Sequence, residues 1–208
     1  VSRVFVPIFP LPDVVLFPAT LLPLHIFEAR YRAMVTDCLA RDKRLAVVGL
    51  RPGYEAVYHG KPPVFEVAGA GEIVQWARLA TGRFNILLRG DCRIRIDREM
   101  PADTLYRIAA ATPLEERGAE QPDVGALAVS LRQQCRRLLA AIGRPASDMD
   151  QALDPETAPG VLCDQVAAAL LPEPAERQAL LEELDVRRRV ERLAGRLGEL
   201  LRDVGGER

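Results

Sequence analysis

Apolar and polar positions change rhythm several times along this chain, and each rhythm predicts a different element. Residues 4–9, VFVPIF, form a β-prone run, in which Pro7 suits an edge or a bulge because it has no amide hydrogen. Pro10, Pro12, Pro18 and Pro23 fall within 14 residues, and a helix losing that many donors would not hold. VVLF at 14–17 therefore reads as a short β-prone segment and TLLPLHIF at 20–27 as another extended one, with Pro10 and Pro12 breaking the first ladder. At Glu28 the spacing turns helical. Phe27, Tyr31, Met34, Val35 and Cys38 recur every three or four positions, which predicts an amphipathic helix over 28–41. Glu28 in its first turn favours the helix dipole. LAVVGL at 45–50 is nearly continuous in apolar character and reads as a central strand.

RPGYEAVYHGKPP, residues 51–63, reads as a loop or loose hairpin carrying Tyr54, Tyr58 and His59. Loops of this length are often functional. VFEVAGAGEIVQWARLA and GRFNILLRGDCRIRIDR are strand-rich, and Thr81-Gly82 sits between them as a hairpin turn. In DCRIRID, Cys92, Ile94 and Ile96 alternate with Arg93 and Arg95, predicting a strand with one wet face. LYRIAAATPL supplies one more strand. Beyond residue 115 the pattern changes class. Asp123 is placed to cap a helix whose stripe is Leu127, Leu131, Cys135, Leu138 and Ile142. Shorter helices are expected over 161–171 and 175–184, with Pro174 in a first turn, and a last one restarts at Asp185. Two parts follow, a β-rich 1–115 with one inserted helix and a helical 116–208, an α+β chain overall.

Composition narrows the classes. A hydrophobic fraction of 49% with 27% charged residues suits a packed core and not a disordered chain. A net charge of −1 provides no global field toward nucleic acid or an anionic membrane. Only two lysines occur, Lys43 and Lys61. The four cysteines form no CxxC pair and read as reduced core thiols of a cytoplasmic protein. No signal peptide is visible, and no run reaches the roughly 18 apolar residues of a membrane span.

Candidate chemistry is sparse. His25 sits in a β-prone apolar run and reads as structural, with a backbone partner; His59 lies in the 51–63 loop. Neither has zinc-ligand spacing. Ser2, Ser130 and Ser147 sit in no nucleophile motif. HGK at 59–61 is no phosphate loop, since Pro62 stands where a Ser or Thr would be needed. The arginines of RRRVERLAGR read as the wet face of the last helix. No catalytic, metal or cofactor residue is expected. Tyr54, Tyr58, His59 and Phe65 are instead the candidates for gripping an extended or unfolded peptide.

Taken in order, the motifs resemble the LON substrate-binding domain family, the N-terminal domain of Lon proteases. The anchors are Pro10-Leu11, Asp13-Val14-Val15, Phe17-Pro18 and Pro23-Leu24, then Gly71, Ile73, Gly82, Gly90 and Ile94. Leu171-Pro172, Gln178, Leu181, Leu184, Asp185, Arg189 and Leu193 follow in the tail. The resemblance implies a PUA-like β pseudobarrel with one inserted helix, followed by a C-terminal helical bundle. It also implies a non-catalytic protein- or peptide-binding module of the stand-alone bacterial kind. Its expected partners are unfolded or partly folded proteins, with a protease or chaperone system alongside. The family's proteolysis is not carried over, because the chain has neither a Walker A motif nor a catalytic-serine context. Two alternatives stay open. An enzyme or small-molecule-binding protein of unrecognised type would show a polar pocket joining His25 or His59 to a carboxylate. A nucleic-acid module would show a basic stripe, against which the near-neutral charge counts.

Overall fold

A computed structural model describes residues 3–58 and 60–206. Six strands and six α-helices appear among them: β1 Val4–Leu11, β2 Leu21–Ile26, α1 Ala29–Leu39, β3 Arg44–Gly49, β4 Val67–Arg78, β5 Phe84–Met100, β6 Arg107–Leu114, α2 Val124–Ala141, α3 Asp150–Leu153, α4 Pro159–Leu170, α5 Pro174–Glu182 and α6 Val186–Gly206. The fold is α+β, with a mixed sheet. Contacts divide the chain into two compact units, one running to Leu114 and including Glu173–Leu181, the other made of Glu115–Pro172 and the residues from Glu182 onward.

In the first unit the strand order is β2-β5-β4-β3-β1-β6, and β6 returns to pair with β5. Five strands thus form a closed pairing circuit, and β2 hangs from β5 outside it. Two long or divided strands make this possible. β5 pairs with β2 over Phe84–Arg89 and with β6 over Arg93–Met100, and is irregular between Ile96 and Arg98. β1 pairs with β6 over Val4–Ile8 and with β3, in parallel, over Ile8–Leu11. The strand therefore continues through Pro7 and Pro10, and Pro10 does not end the ladder as expected. Each proline lies where β1 has a neighbour on one side only, so its missing donor can face away from the ladder.

Residues 14–17 correct a second expectation. They form no strand but pass over the sheet, with Leu16 and Phe17 fully buried. Their backbone comes so close that a Cβ on Gly69 would fall on the Leu16 carbonyl, and one on Gly90 on the Phe17 carbonyl. Asp13 (φ 59°) and Ala19 (φ 54°), on either side of this passage, adopt left-handed backbone, an uncommon state for a residue with a Cβ. The Ala19 amide donates to the Gly90 carbonyl at 2.9 Å and the Gly90 amide to the Thr20 carbonyl at 2.9 Å, which steers the chain into β2.

The expected wet face of β5 fails at Arg93, only 1% exposed. Its Nε donates to the Leu181 carbonyl at 2.9 Å, and its guanidinium lies 6.0 Å from the centre of the Phe17 ring. Helix α5, which periodicity alone joins to the helical part, is held in this unit through Leu181. Besides the Arg93 bond, Gln178 Nε2 donates to the Val67 carbonyl (3.1 Å) and Arg177 Nη2 to the Asp13 carbonyl (2.8 Å). Helix α1 buries Tyr31, Met34, Val35 and Cys38 in one apolar cluster with Phe9, Leu16, Ile26, Leu45, Ile73 and Leu88.

In the second unit α6 packs on α2 and α4. The arginine run of α6 is not wholly wet, because Arg189 is 0% exposed. Its Nη2 meets Glu116 at 2.7 Å, its Nε meets Asp164 at 3.4 Å, and its Nη1 donates to the Glu183 carbonyl at 3.1 Å. Such an ion is tolerable only because it is paired. Asp123 does not cap α2 with its side chain; it accepts from Arg187 Nε at 2.8 Å instead.

Gly90→Ala is expected to destabilise the protein by about 3 kcal/mol, because its methyl group meets backbone that has no room to yield. Gly125→Ala, on an exposed position of α2 with open space around it, should be neutral or stabilise by about 0.5–1 kcal/mol. Urea unfolding of both variants checks the pair; equal midpoints would refute the close-approach argument.

Candidate functional site

A cleft of about 320 Å³ opens in the first unit. Its walls come from four separate stretches: Asp13–Val15, Gly49–Glu55, Phe65, and the start of α5 with Pro174, Ala175 and Gln178. Each is positioned for a local reason. Left-handed Asp13 turns the chain after β1, leaving Val14 and Val15 half-buried at the cleft. Gly49 has no side chain, so the Phe65 ring can lie against its backbone; a Cβ there would be 3.0 Å from the ring edge. The Phe65 amide donates to the Gly49 carbonyl at 3.0 Å, and an antiparallel bridge between Leu50 and Val64 closes the base of the 51–63 loop. Gly53 takes φ 85°, which begins a 3-10 turn over Tyr54–Val57.

Of the four residues the sequence singles out, Tyr54 and Phe65 share this cleft. Tyr58 does not. Its ring is 6.1 Å from that of Tyr54 and tilted by 54°, but it faces a small recess with Arg30, Tyr31, Pro62 and Arg107. His59 lies outside the described residues. Val14, Val15, Pro174 and Gln178 were not foreseen. No local pattern joins residue 14 to residue 174, although the prolines and the family anchors around both positions mark them.

The lining is mainly apolar. Asp13 and Glu55 are carboxylates, and among the described lining residues no His, Cys, Ser or Lys stands beside them. His25 is exposed on β2, its Nδ1–H donating to Asn85 Oδ1 at 2.7 Å. Its partner is thus a side-chain amide, not the backbone expected and not a carboxylate. Among the described residues, no group of three His, Cys, Asp or Glu could hold a metal, and no helix is long and apolar enough to cross a membrane. Cys38, Cys135 and Cys163 are buried, and all four cysteines are free. Burial pushes the Cys38 thiol up to about 12, far from a reactive thiolate.

A second, more polar cleft of about 160 Å³ lies in the same unit, lined by Arg30, Tyr31, Lys61, Glu99, Tyr106 and Arg107 among others. Burial pushes the Tyr31 hydroxyl up to about 12. Burial, and then a 2.8 Å hydrogen bond to Asp37, does the same for Tyr106.

Comparison with known proteins gives a consistent picture. Residues 6–198 match the family model of the ATP-dependent protease La (LON) substrate-binding domain. Curated relatives include the Lon protease of Desulfosudis oleivorans, 26% identical over 198 residues, which cover 94% of this chain and 24% of the relative. The Lon protease of Paraburkholderia phytofirmans is 29% identical over 205 residues, 94% of this chain and 24% of the relative. The chain thus spans about a quarter of the length of these relatives. Among solved structures, the N-terminal domain of the Mycobacterium avium complex Lon protease superposes with a TM-score of 0.75 at 19% identity, covering 93% of this chain and 98% of that one. The Lon N-terminal domain protein from Xanthomonas campestris gives 0.66 at 24% identity, covering 92% and 98%. At these identities the structural likeness establishes the fold alone.

The tyrosines set an alkaline limit. A raised hydroxyl pKa in the folded state means the unfolded chain ionises first, so stability is intact below pH 10 and falls as pH rises toward 12. Urea midpoints measured across that range should fall, and less steeply in Tyr106→Phe; an identical slope would remove Tyr106 from the account.

Proposed function

From the premise that this chain belongs to the LON substrate-binding domain family, we propose that its first unit is a non-catalytic module that holds extended apolar segments of protein substrates. The holding site is the cleft between Tyr54, Phe65, Val14, Val15 and the start of α5. The observation that carries this reading is the composition of that cleft. Two aromatic rings and several aliphatic side chains line a space of about 320 Å³, within the usual range for a ligand pocket. Peptide grooves of this kind rely on apolar anchors supported by backbone bonds, and a few buried aromatics carry most of the affinity.

The wider reading follows from the same premise. The closed pairing circuit supports a PUA-like pseudobarrel. The partners are unfolded or partly folded proteins, with a protease or chaperone system acting on what is held. A reducing cytoplasmic setting is supported by the free thiols.

The test uses uncharged, C-terminally amidated apolar peptides and an unfolded model protein, with affinity read by fluorescence anisotropy. Phe65→Ala and Tyr54→Ala should each weaken binding by roughly tenfold, whereas Tyr58→Ala, outside the cleft, should leave it unchanged. Wild-type binding no stronger than background, or equal affinities in all three variants, would overturn the proposal.

A further inference from the structure

The second cleft differs in chemistry from the first. Its volume of about 160 Å³ is roughly half the lower end of the range for drug-sized ligands and close to that of a cavity that admits benzene. It has room for a group of a few heavy atoms and none for a nucleotide.

Its charges decide which group. Arg107 is committed to Glu99 through Nε (3.0 Å) and Nη2, and its Nη1 donates to the Pro62 carbonyl at 3.0 Å. Arg30 is paired with Glu28 at 2.9 Å. Its guanidinium lies 4.6 Å over the Tyr31 ring and 5.8 Å from that of Tyr58, contacts that fix a cation in place. Behind Tyr106 stands Asp37, opposed by the charge of Arg41. These pairs cancel. Lys61 remains: its charge reaches Glu99, but among the described residues it has no carboxylate within 4.0 Å. Among the described lining residues, the ammonium of Lys61 is therefore the one positive charge left in excess. A single anionic group of small size balances it.

We propose that this cleft is a carboxylate site, and that it reads an acidic group on the polypeptide held next to it, either an acidic side chain or the C-terminal carboxylate. The second clause rests on the substrate-holding function above; the first stands without it. The link between the sites is structural. Leu50 lines the apolar cleft and the small recess, and that recess shares Arg30, Tyr31, Gly60 and Arg107 with the polar cleft. Tyr54, at the start of one short turn, faces the apolar cleft, and Tyr58, just past its end, faces that recess.

Small probes test the site directly, and they carry no apolar segment, so the outcome is independent of the Phe65 and Tyr54 variants. N-acetyl-glutamate amide presents a side-chain acid, N-acetyl-alanine a terminal carboxylate, and N-acetyl-glutamine amide is the neutral control. Each is titrated into the 15N-labelled chain to about 20 mM, enough to load a site of millimolar Kd. Amide shifts at Gly60, Lys61, Thr104 and Arg107 with an acid but not with the control support the site. Whichever acid binds more tightly identifies the source of the carboxylate, and equal binding assigns carboxylates without preference. Lys61→Met, a change at an exposed position, should weaken the acid about tenfold. The proposal is overturned if no acid moves these amides more than the neutral probe, or if Lys61→Met leaves the acid response intact.

Discussion

The first unit depends on one close approach of backbone to backbone. Residues 14–17 lie so near the sheet that the strands beneath can carry only glycine where Leu16 and Phe17 pass, at Gly69 and Gly90. In return, two large apolar side chains reach full burial, worth about 1.5–3 kcal/mol each by area. The same passage sets up what surrounds it. It leaves Val14 and Val15 at the apolar cleft, delivers the chain into β2, and places the Phe17 ring under the Arg93 guanidinium. A methyl group at either glycine would lift the segment and disturb all three.

Buried arginine is the second recurring device. Arg93 in the first unit and Arg189 in the second are both fully enclosed, yet they serve different partners. Arg93 ends on a main-chain carbonyl of α5 and so helps hold a wall of the cleft. Arg189 gathers two carboxylates and a carbonyl inside the helical unit. An enclosed guanidinium is tolerable when its donors are used, and its planar fork can tie segments far apart in sequence; Arg93 and Leu181 are 88 positions apart.

How much of this could be read from the sequence follows from what is local. The helix from Ala29, the central strand β3, the Thr81-Gly82 turn and the late helices rest on periodicity and turn chemistry within a few residues, and each appears near its expected place. The failures share one cause. VVLF has the composition of a strand but is pinned across the sheet by glycines more than 50 positions later. Arg93 alternates with apolar residues and Arg189 lies in an arginine run, so both read as solvent-facing, and only tertiary partners turn them inward. Of the candidate cleft, Tyr54 is conspicuous as an aromatic in a proline- and glycine-rich loop, and Phe65 as one just past its end. Tyr58 is as conspicuous in the sequence, yet a turn of 3-10 helix directs it to a separate recess. Pro174 and Gln178 stand out locally, but nothing near them announces Asp13 as a neighbour.

The closed strand circuit has a consequence for the one strand it leaves outside. Among the described strands, β2 alone has a single neighbour. The Gly90–Thr20 bond sets the alternation along the β2–β5 ladder, so that positions 21, 23 and 25 aim their main-chain groups outward. Pro23, in the middle of that row, has no hydrogen to offer. The rim on which a foreign chain could crystallise into a growing fibril is therefore interrupted at its centre.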